Sequence, residues 1–205
     1  MTIRLHRGDL PDLSRYRSGA VAVDTETMGL DPHRDRLCVV QLSPGDGSAD
    51  VVQIPPGDAG APNLTKLLAD GSILKIFHFA RFDIGILQQA LGVMPGPIYC
   101  TKIASRLART YTDKHGLKDL VREVLGIDLS KQQQSSDWGA DALSDAQVAY
   151  AASDVLHLHA LKEKLDAMLA REGRTDIAAA CFRFLPDRAR LDLAGWAAED
   201  IFAHS

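Results

Sequence analysis

Short apolar runs alternate with polar, turn-rich segments in the first quarter of the chain. The apolar runs cover residues 20–25, 37–42 and 50–54, and each has the length of a strand. The segments between them, GLDPHRD and SPGDGS, are rich in glycine, proline and aspartate, which favour turns. Three strands with such short connections predict an antiparallel meander.

After this meander the apolar spacing becomes that of alternating helices and strands. We predict strands over 73–78 and 98–100, and helices over 64–69, 82–91, 102–110, 117–125 and 175–184. Asn63 is the predicted N-cap of the first helix. Ser144 and Gln147 form a capping box that begins a long helix from 145 to about 170. A meander followed by this alternation predicts an α/β fold with helices packed on a mixed sheet, whose strand order stays open.

The composition is that of an ordinary globular protein. Of the 205 residues, 46% are hydrophobic and 24% are charged. The length of the chain favours one compact domain. No apolar run is long enough to cross a bilayer, and the first residues lack the apolar segment of a secretion signal. Three cysteines without C-x-x-C spacing argue against a disulfide framework or a cysteine zinc site. We therefore expect a cytoplasmic protein with no membrane partner.

The formal net charge of −4 restricts the class of partner. Proteins that coat long nucleic acids are usually strongly basic, because they neutralise many phosphates. This chain therefore either binds no polyanion, or binds a short one locally, with metal ions supplying much of the positive charge.

Acidic residues at three separate places carry the candidate chemistry. Asp24 and Glu26 lie two apart at the end of a strand and point to one face, although both could simply be solvated turn residues. Asp83 lies near the start of a helix, where the helix dipole alone favours an acid. Tyr150 and Asp154 share one face of an apolar helix, where a carboxylate is costly unless it is paired or binds a metal. A buried Tyr–Asp hydrogen bond or a distant ion pair would also satisfy Asp154.

Three motifs combine these acids into a familiar pattern. VDTETMGL, FHFARFD and YAASD resemble the exonuclease motifs of the DEDD superfamily, in the DEDDy branch that contains ribonuclease D. The resemblance covers about residues 18–165 and implies a ribonuclease H-like sheet, with three antiparallel strands followed by parallel ones. It also implies four metal ligands and one water-orienting tyrosine, namely Asp24, Glu26, Asp83, Asp154 and Tyr150. Phe79 stands where the family usually has asparagine, which suggests a different active-site wall, such as a stacking surface.

A narrower resemblance covers more of the chain. CVVQLSPGDGSAD, TYTDKHGLKDL and the C-terminal segment are similar to the nanoRNase C family, ribonuclease D-like enzymes that degrade very short RNA. This resemblance implies short oligoribonucleotides as substrates, dinucleotides above all, and a ring-shaped homo-octamer. We expect a single exonuclease domain over 1–205, with a core at about 18–170, a helical tail at 171–205 and no HRDC domain.

The implied mechanism uses two Mg²⁺ or Mn²⁺ ions about 3.5–4 Å apart. Asp24 would bridge both ions, and Glu26 and Asp154 would complete the coordination of the ion that binds the attacking water. Asp83 would serve the other ion, directly or through water. Tyr150 would orient the water rather than deprotonate it, since the ordinary pKa of tyrosine, near 10, makes it a poor base at neutral pH. The products would be nucleoside 5′-monophosphates.

Other residues are candidates for substrate binding. Thr25 lies between the first two acids, Leu30 resembles a leucine that wedges between terminal bases, and His78 precedes the second motif. Leu30 could equally pack at a turn, and His78 could equally be a satisfied core histidine. Phe79 completes this group as the suggested stacking surface.

A basic helix face and a polar loop are further candidates. Lys102, Arg106 and Arg109 fall at i, i+4 and i+7, which predicts one face that reads phosphate, contacts another subunit or is simply solvated. Gln133 and Ser135 lie in a loop, residues 132–135, that could cap a 5′-phosphate. Alternative functions are an exonuclease on longer RNA or DNA, a non-catalytic nucleic-acid-binding module and a purely structural homo-oligomer.

Overall fold

A mixed sheet of six strands forms the centre of the computed structural model, which describes residues 2–17, 19–57, 60–130, 132–133 and 135–204. The strand order is β1-β4-β3-β2-β5-β6. Strands β2, β3 and β4 form the predicted antiparallel meander, and β5 and β6 add to β2 in parallel. The strands are β1 Thr2–Arg7, β2 Ala20–Thr27, β3 Leu37–Ser43, β4 Ser48–Gln53, β5 Leu74–Phe77 and β6 Ile98–Cys100.

Strand β1 was not predicted from the sequence. It pairs in parallel with β4, from Thr2 beside Ser48 to Arg7 beside Gln53, and forms one edge of the sheet. Its side chains are exposed or half-buried throughout, so the segment lacks the apolar run of a buried strand. The hydrogen-bonding partners of β1 are on the edge of β4, and this edge exists only once the sheet has folded.

Seven helices cover the two faces of the sheet in the described part of the chain. The predicted helices are confirmed to within a few residues, but the single helix predicted from 145 to about 170 is wrong. The chain breaks at His157 (φ −106°, ψ −4°), because α5 packs on strands β2–β4 whereas α6 packs on α3. The helices are α1 Pro62–Ala69, α2 Ala80–Leu91, α3 Thr101–Ala108, α4 Leu117–Leu125, α5 Asp145–Leu156, α6 Leu158–Arg171 and α7 Thr175–Leu191.

The helix caps show one prediction confirmed and one wrong. Ser144 and Gln147 form both bonds of the capping box at the start of α5. Asn63, in contrast, is not the N-cap of α1, because the helix begins after Ala61. The carboxylate of Asp9 accepts hydrogen bonds from the backbone N–H groups of Asn63 (2.8 Å) and Leu64 (2.9 Å). A residue 54 positions away therefore satisfies this helix terminus.

Two apolar layers enclose the sheet, one on each face. Alternating β2 residues enter opposite layers: Val21 and Val23 pack on the side of α1 and α2, while Ala22 packs on the side of α5 and α6. Asp24 and Glu26 follow Ala22 at every second position of β2, so their side chains lie on the same face of the sheet and point toward α5. None of the helices in the described residues is long and apolar enough to span a membrane.

Candidate active site

Three carboxylates from two distant parts of the chain converge at the end of β2. Asp24 and Glu26 project from β2, and Asp154 projects from α5, which packs across β2, β3 and β4. One carboxylate oxygen from each of the three lies within 4.8 Å of the other two. The spacing of two along the strand and the packing of α5 on that face together produce the cluster.

Asp83 lies beside this cluster, on the first turn of α2. Its side chain is buried, and its Oδ1 accepts a hydrogen bond of 2.7 Å from the hydroxyl of Thr25. The charge of Asp83 also raises the pKa values of Asp24 and Glu26. The structure thus brings together all four predicted acids, and it engages the hydroxyl of Thr25 with one of them.

Burial and mutual repulsion disfavour the ionised forms of these acids. Burial is the largest cause in each case, and it raises the pKa of Asp24 well above its ordinary value and that of Glu26 to about 9. The pKa values of Asp83 and Asp154 are also raised, again mainly by burial. Buried carboxylates this close together need protons or cations to offset their charge. A set of hard oxygen donors fits a divalent cation such as Mg²⁺ or Mn²⁺.

Tyr150 lies one helical turn before Asp154 and lines the same cleft. Burial, Asp154, Glu26 and Asp24 all raise its pKa, so the phenol is neutral at neutral pH. The buried ring of Trp138 packs against it, with 6.0 Å between the ring centroids. Tyr150 is therefore held in place as a hydrogen-bond donor beside the carboxylates.

A cleft of about 330 Å³ is lined by Asp24, Glu26 and Asp154 and also by basic residues. The basic residues are Lys102 from α3 and Lys118 from the first turn of α4, and Gly116 just before α4 lines the cleft as well. Sequence reasoning did not single out Lys118 or Gly116 as site residues. A lysine beside a helix N-terminus is a signal for anion binding, but only the fold places this helix at the cleft.

Phe79 and His78 form the rim between β5 and α2. Phe79 adopts a left-handed conformation (φ 69°, ψ 42°) and is 46% exposed, and Nζ of Lys102 lies 4.3 Å from the centre of its ring. Nδ1 of His78 lies 2.9 Å from the hydroxyl of Thr101. Burial and Lys102 lower the pKa of His78 to about 3, so this imidazole is neutral at neutral pH.

The predicted basic helix face is wrong for Arg109. Its side chain is 1% exposed, forms an ion pair with Glu123 and donates to the Ser105 hydroxyl (3.1 Å) and the Lys114 carbonyl (3.0 Å). This guanidinium holds the 109–116 loop together instead of facing a phosphate. Arg106 is exposed but lies outside the carboxylate cleft and lines a neighbouring groove with Lys102.

The remaining predicted substrate contacts lie around the cleft rather than in it. Leu30 is 82% exposed and lines an adjoining cavity that shares Phe79 as a wall. Gln133 and Ser135 are not among the lining residues, although Leu129 and Ser130 at the start of their loop are. Gln134 lies outside the described residues.

Comparisons with known sequences point to nucleases. The sequence profile of a 3′-5′ exonuclease family matches residues 12–170. Ribonuclease D of Gluconacetobacter diazotrophicus is 38% identical over 173 residues, which cover 84% of this chain and 44% of the relative. The chain therefore spans less than half the length of this curated relative.

Solved structures match over the full length of this chain and of theirs. Brucella melitensis NrnC with bound Mg²⁺ is 63% identical, with a TM-score of 0.97. Brucella melitensis NrnC bound to pGG is 64% identical, with a TM-score of 0.98. With the sheet described above, these matches confirm the predicted ribonuclease H-like α/β fold.

Proposed function

The chain belongs to the 3′-5′ exonuclease family, and from that premise we propose that it hydrolyses short oligoribonucleotides, dinucleotides above all, to nucleoside 5′-monophosphates. The observation that carries this proposal is the convergence of Asp24, Glu26 and Asp154 within 4.8 Å, beside buried Asp83 and neutral Tyr150. A non-catalytic binding module would have no need for so many costly buried acids.

Each part of the cleft has a role in this proposal. When bound, two Mg²⁺ or Mn²⁺ ions would polarise the scissile phosphate and acidify a water molecule. Asp24, Glu26 and Asp154 would hold the ions, with Asp83 completing the set. Tyr150 donates a hydrogen bond that orients the water, and it does not act as a base, because its pKa is raised. Lys102 and Lys118, which also line the cleft, meet the phosphates.

A short substrate is favoured by two observations. The net charge of −4 is unlike that of proteins that coat long nucleic acids, and the cations that line the cleft in the described residues are Lys102 and Lys118, beside the neutral His78. Brucella melitensis NrnC, whose structure was solved bound to pGG, is 64% identical to this chain. The alternative, exonuclease activity on longer RNA or DNA, would use the same acids, and the similarity to ribonuclease D supports it.

The test compares 5′-labelled RNAs of two, three, five, ten and twenty nucleotides, and a DNA dinucleotide, in Mg²⁺ or Mn²⁺. We expect kcat/KM to be highest for the RNA dinucleotide, by at least about tenfold over the 20-mer. A preference for the 20-mer would favour the alternative function. Asp24→Asn should abolish turnover while keeping the fold; wild-type activity in this variant would overturn the assignment. Calorimetric titration of Mg²⁺ should give two ions per chain.

We also propose that the chain assembles into a homo-oligomer, which the nanoRNase C resemblance identifies as a ring-shaped octamer. Large apolar side chains are exposed near the C-terminal end, with Trp196 and Ile201 each 44% and Phe202 77% exposed. Clusters of large exposed apolar side chains are typical of protein interaction surfaces. Light scattering after size exclusion should give eight chains per particle, and a monomer would refute the assembly. A cytoplasmic location is proposed from the three free cysteines.

A further inference from the structure

Gln41, in the middle of β3, is a buried glutamine whose side-chain amide has no partner. Its side chain is 0% exposed, and neither its Oε1 nor its Nε2 forms a hydrogen bond within the described residues. A buried amide without hydrogen bonds costs free energy that an apolar side chain of similar size would avoid. An amide at this position is therefore expected to have a partner in some state of the protein.

The two strands beside β3 place an acid on one side of Gln41 and an apolar residue on the other. In the antiparallel registers of the sheet, Gln41 is paired with Asp24 of β2 and with Val51 of β4. Directly paired residues on neighbouring strands project to the same face, with Cβ atoms about 4.5–5.5 Å apart, a distance that a glutamine side chain can span. Of these two neighbours, Asp24 is the one that can accept a hydrogen bond from the amide.

A second buried glutamine on the same face of the sheet has its hydrogen bonds made. Gln53 of β4 is paired with Val39, which lies two residues before Gln41 and packs in the apolar layer on the side of α5. Nε2 of Gln53 donates to the Ala140 carbonyl over 2.8 Å. The fold therefore satisfies the glutamine that lies away from the carboxylate cluster and leaves the one beside the cluster unpaired.

The chemistry of a carboxylate allows Asp24 to bind cations and to accept a hydrogen bond at the same time. The two oxygens of a carboxylate offer about four lone-pair sites, more than a bridging ligand uses on its ions. A donor directed at such a carboxylate fixes its orientation, and partners of this kind usually change metal affinity by about 10–100-fold. The Nε2 group of Gln41 is a donor of this type, and it is otherwise unused.

We propose that Gln41 is a positioning residue for Asp24, and that its Nε2 donates a hydrogen bond to the Asp24 carboxylate when this carboxylate binds a divalent cation. The inference rests on the proposed function, in which Asp24 is a metal ligand. Gln41 is not among the residues that line the catalytic cleft, so it acts on the cations through Asp24 and does not touch the substrate.

Gln41→Met separates this role from a purely structural one, because it removes the amide and keeps a side chain of similar length. In EDTA the melting temperature should equal or exceed that of wild type, since an unpaired buried amide is replaced by an apolar group. The affinity for Mg²⁺, measured by calorimetric titration, should fall about 10–100-fold, because Asp24 loses its donor. Gln41→Leu is a second variant that should show the same two effects.

Gln53→Met is the matched control, since it makes the same substitution in a buried glutamine on the same face of the sheet. Its amide donates to the carbonyls of Ala140 and Asp141, so the variant leaves two acceptors without their donor. We expect a lower melting temperature in EDTA than for wild type, and a Mg²⁺ affinity within about threefold of wild type. The two glutamine variants should therefore differ in opposite directions in stability and in metal affinity.

Kinetics of the full chain on an RNA dinucleotide supply a further readout that general loosening of the fold would not give. In Gln41→Met the Mg²⁺ concentration for half-maximal rate should rise about tenfold or more. Saturating Mg²⁺ should restore most of kcat, because excess cation compensates for weaker binding. The KM for the dinucleotide at saturating Mg²⁺ should stay within about twofold of wild type, since Gln41 does not line the cleft.

Wild-type Mg²⁺ affinity in Gln41→Met and Gln41→Leu would overturn the inference and leave the exonuclease function intact. Equal losses of affinity in Gln41→Met and Gln53→Met would also overturn it, because they would reflect loosening of the whole face. If both Gln41 variants fail to melt cooperatively in EDTA, the amide serves the fold and the inference fails. Absence of dinucleotide hydrolysis by wild type would instead refute the proposed function, since the Mg²⁺ titration needs no substrate.

Discussion

The hydroxyl of Thr25 donates a 2.7 Å hydrogen bond to Oδ1 of Asp83, and this bond joins strand β2 to helix α2 inside the carboxylate cluster. Thr25 lies between Asp24 and Glu26 in sequence, yet its side chain points away from theirs, as strand alternation requires. It reaches Asp83 behind them. The orientation of one acid is therefore controlled by the residue between two others.

Replacing Thr25 by valine should weaken metal binding. The variant keeps the shape of the side chain but leaves Asp83 without its donor, so we expect a 10–100-fold loss in Mg²⁺ affinity and in kcat/KM, the usual scale for a residue that orients a ligand. Calorimetric titration and steady-state kinetics measure both. Thr25→Ser retains the hydroxyl and should stay within about threefold of wild type. Wild-type metal affinity in the valine variant would contradict this role.

The metal-free protein should lose stability as the pH rises. The raised pKa of Glu26, about 9, means that the folded state holds protons which the unfolded state has already released. Stability is thus highest below about pH 4.5 and falls until about pH 9, if other groups are held constant. Melting in EDTA between about pH 6 and pH 9 should show a drop of several degrees.

Mg²⁺ should reduce this pH dependence, because it offsets the same charges. Glu26→Gln, which removes one ionisable group, should reduce the slope in EDTA. The prediction would be contradicted if the melting temperature of the wild-type protein in EDTA rose between about pH 6 and pH 9 and if Glu26→Gln showed the same pH dependence. Repulsion between the carboxylates would then not be what limits the stability of the metal-free protein.

Tyr150→Phe should lower kcat with little change in metal affinity. The neutral phenol contributes a hydrogen bond rather than a ligand, so we expect a loss of about 10–100-fold in single-turnover rate. Tyr111→Phe is a suitable control, since Tyr111 is 74% exposed and does not line the carboxylate cleft. An unchanged rate in Tyr150→Phe would remove the water-orienting role.

Substitutions of Arg109 and Arg106 should differ in their effect on the free energy of unfolding, because Arg109 is buried and Arg106 is exposed. Arg109→Met removes a buried guanidinium that joins Glu123, Ser105 and the Lys114 carbonyl, and should cost about 3 kcal/mol in the free energy of unfolding. Arg106→Met alters an exposed side chain and should stay within about 0.5 kcal/mol. Urea denaturation measures both. Equal, small effects would mean that Arg109 does not hold the loop.

The sequence alone determined which residues can perform the chemistry. Asp24 and Glu26 share a face because side chains alternate along a strand, and Tyr150 and Asp154 share a face because they lie one helical turn apart. Local spacing also predicted the meander, most of the helices and the capping box at Ser144. These features depend on residues a few positions apart, whose geometry the backbone already fixes.

Only the tertiary structure decided what happens between distant segments. The charge pattern placed Arg109 on a basic surface, but its partner Glu123 and the surrounding loop bury it. The start of α1 has its capping carboxylate on Asp9, and Arg81 of α2 pairs with Asp192 after α7. The pairing of β1 with β4 and the break at His157 follow from the surfaces on which these segments pack. Such contacts depend on which surfaces meet after folding. The spacing of residues along the chain does not determine which surfaces these are.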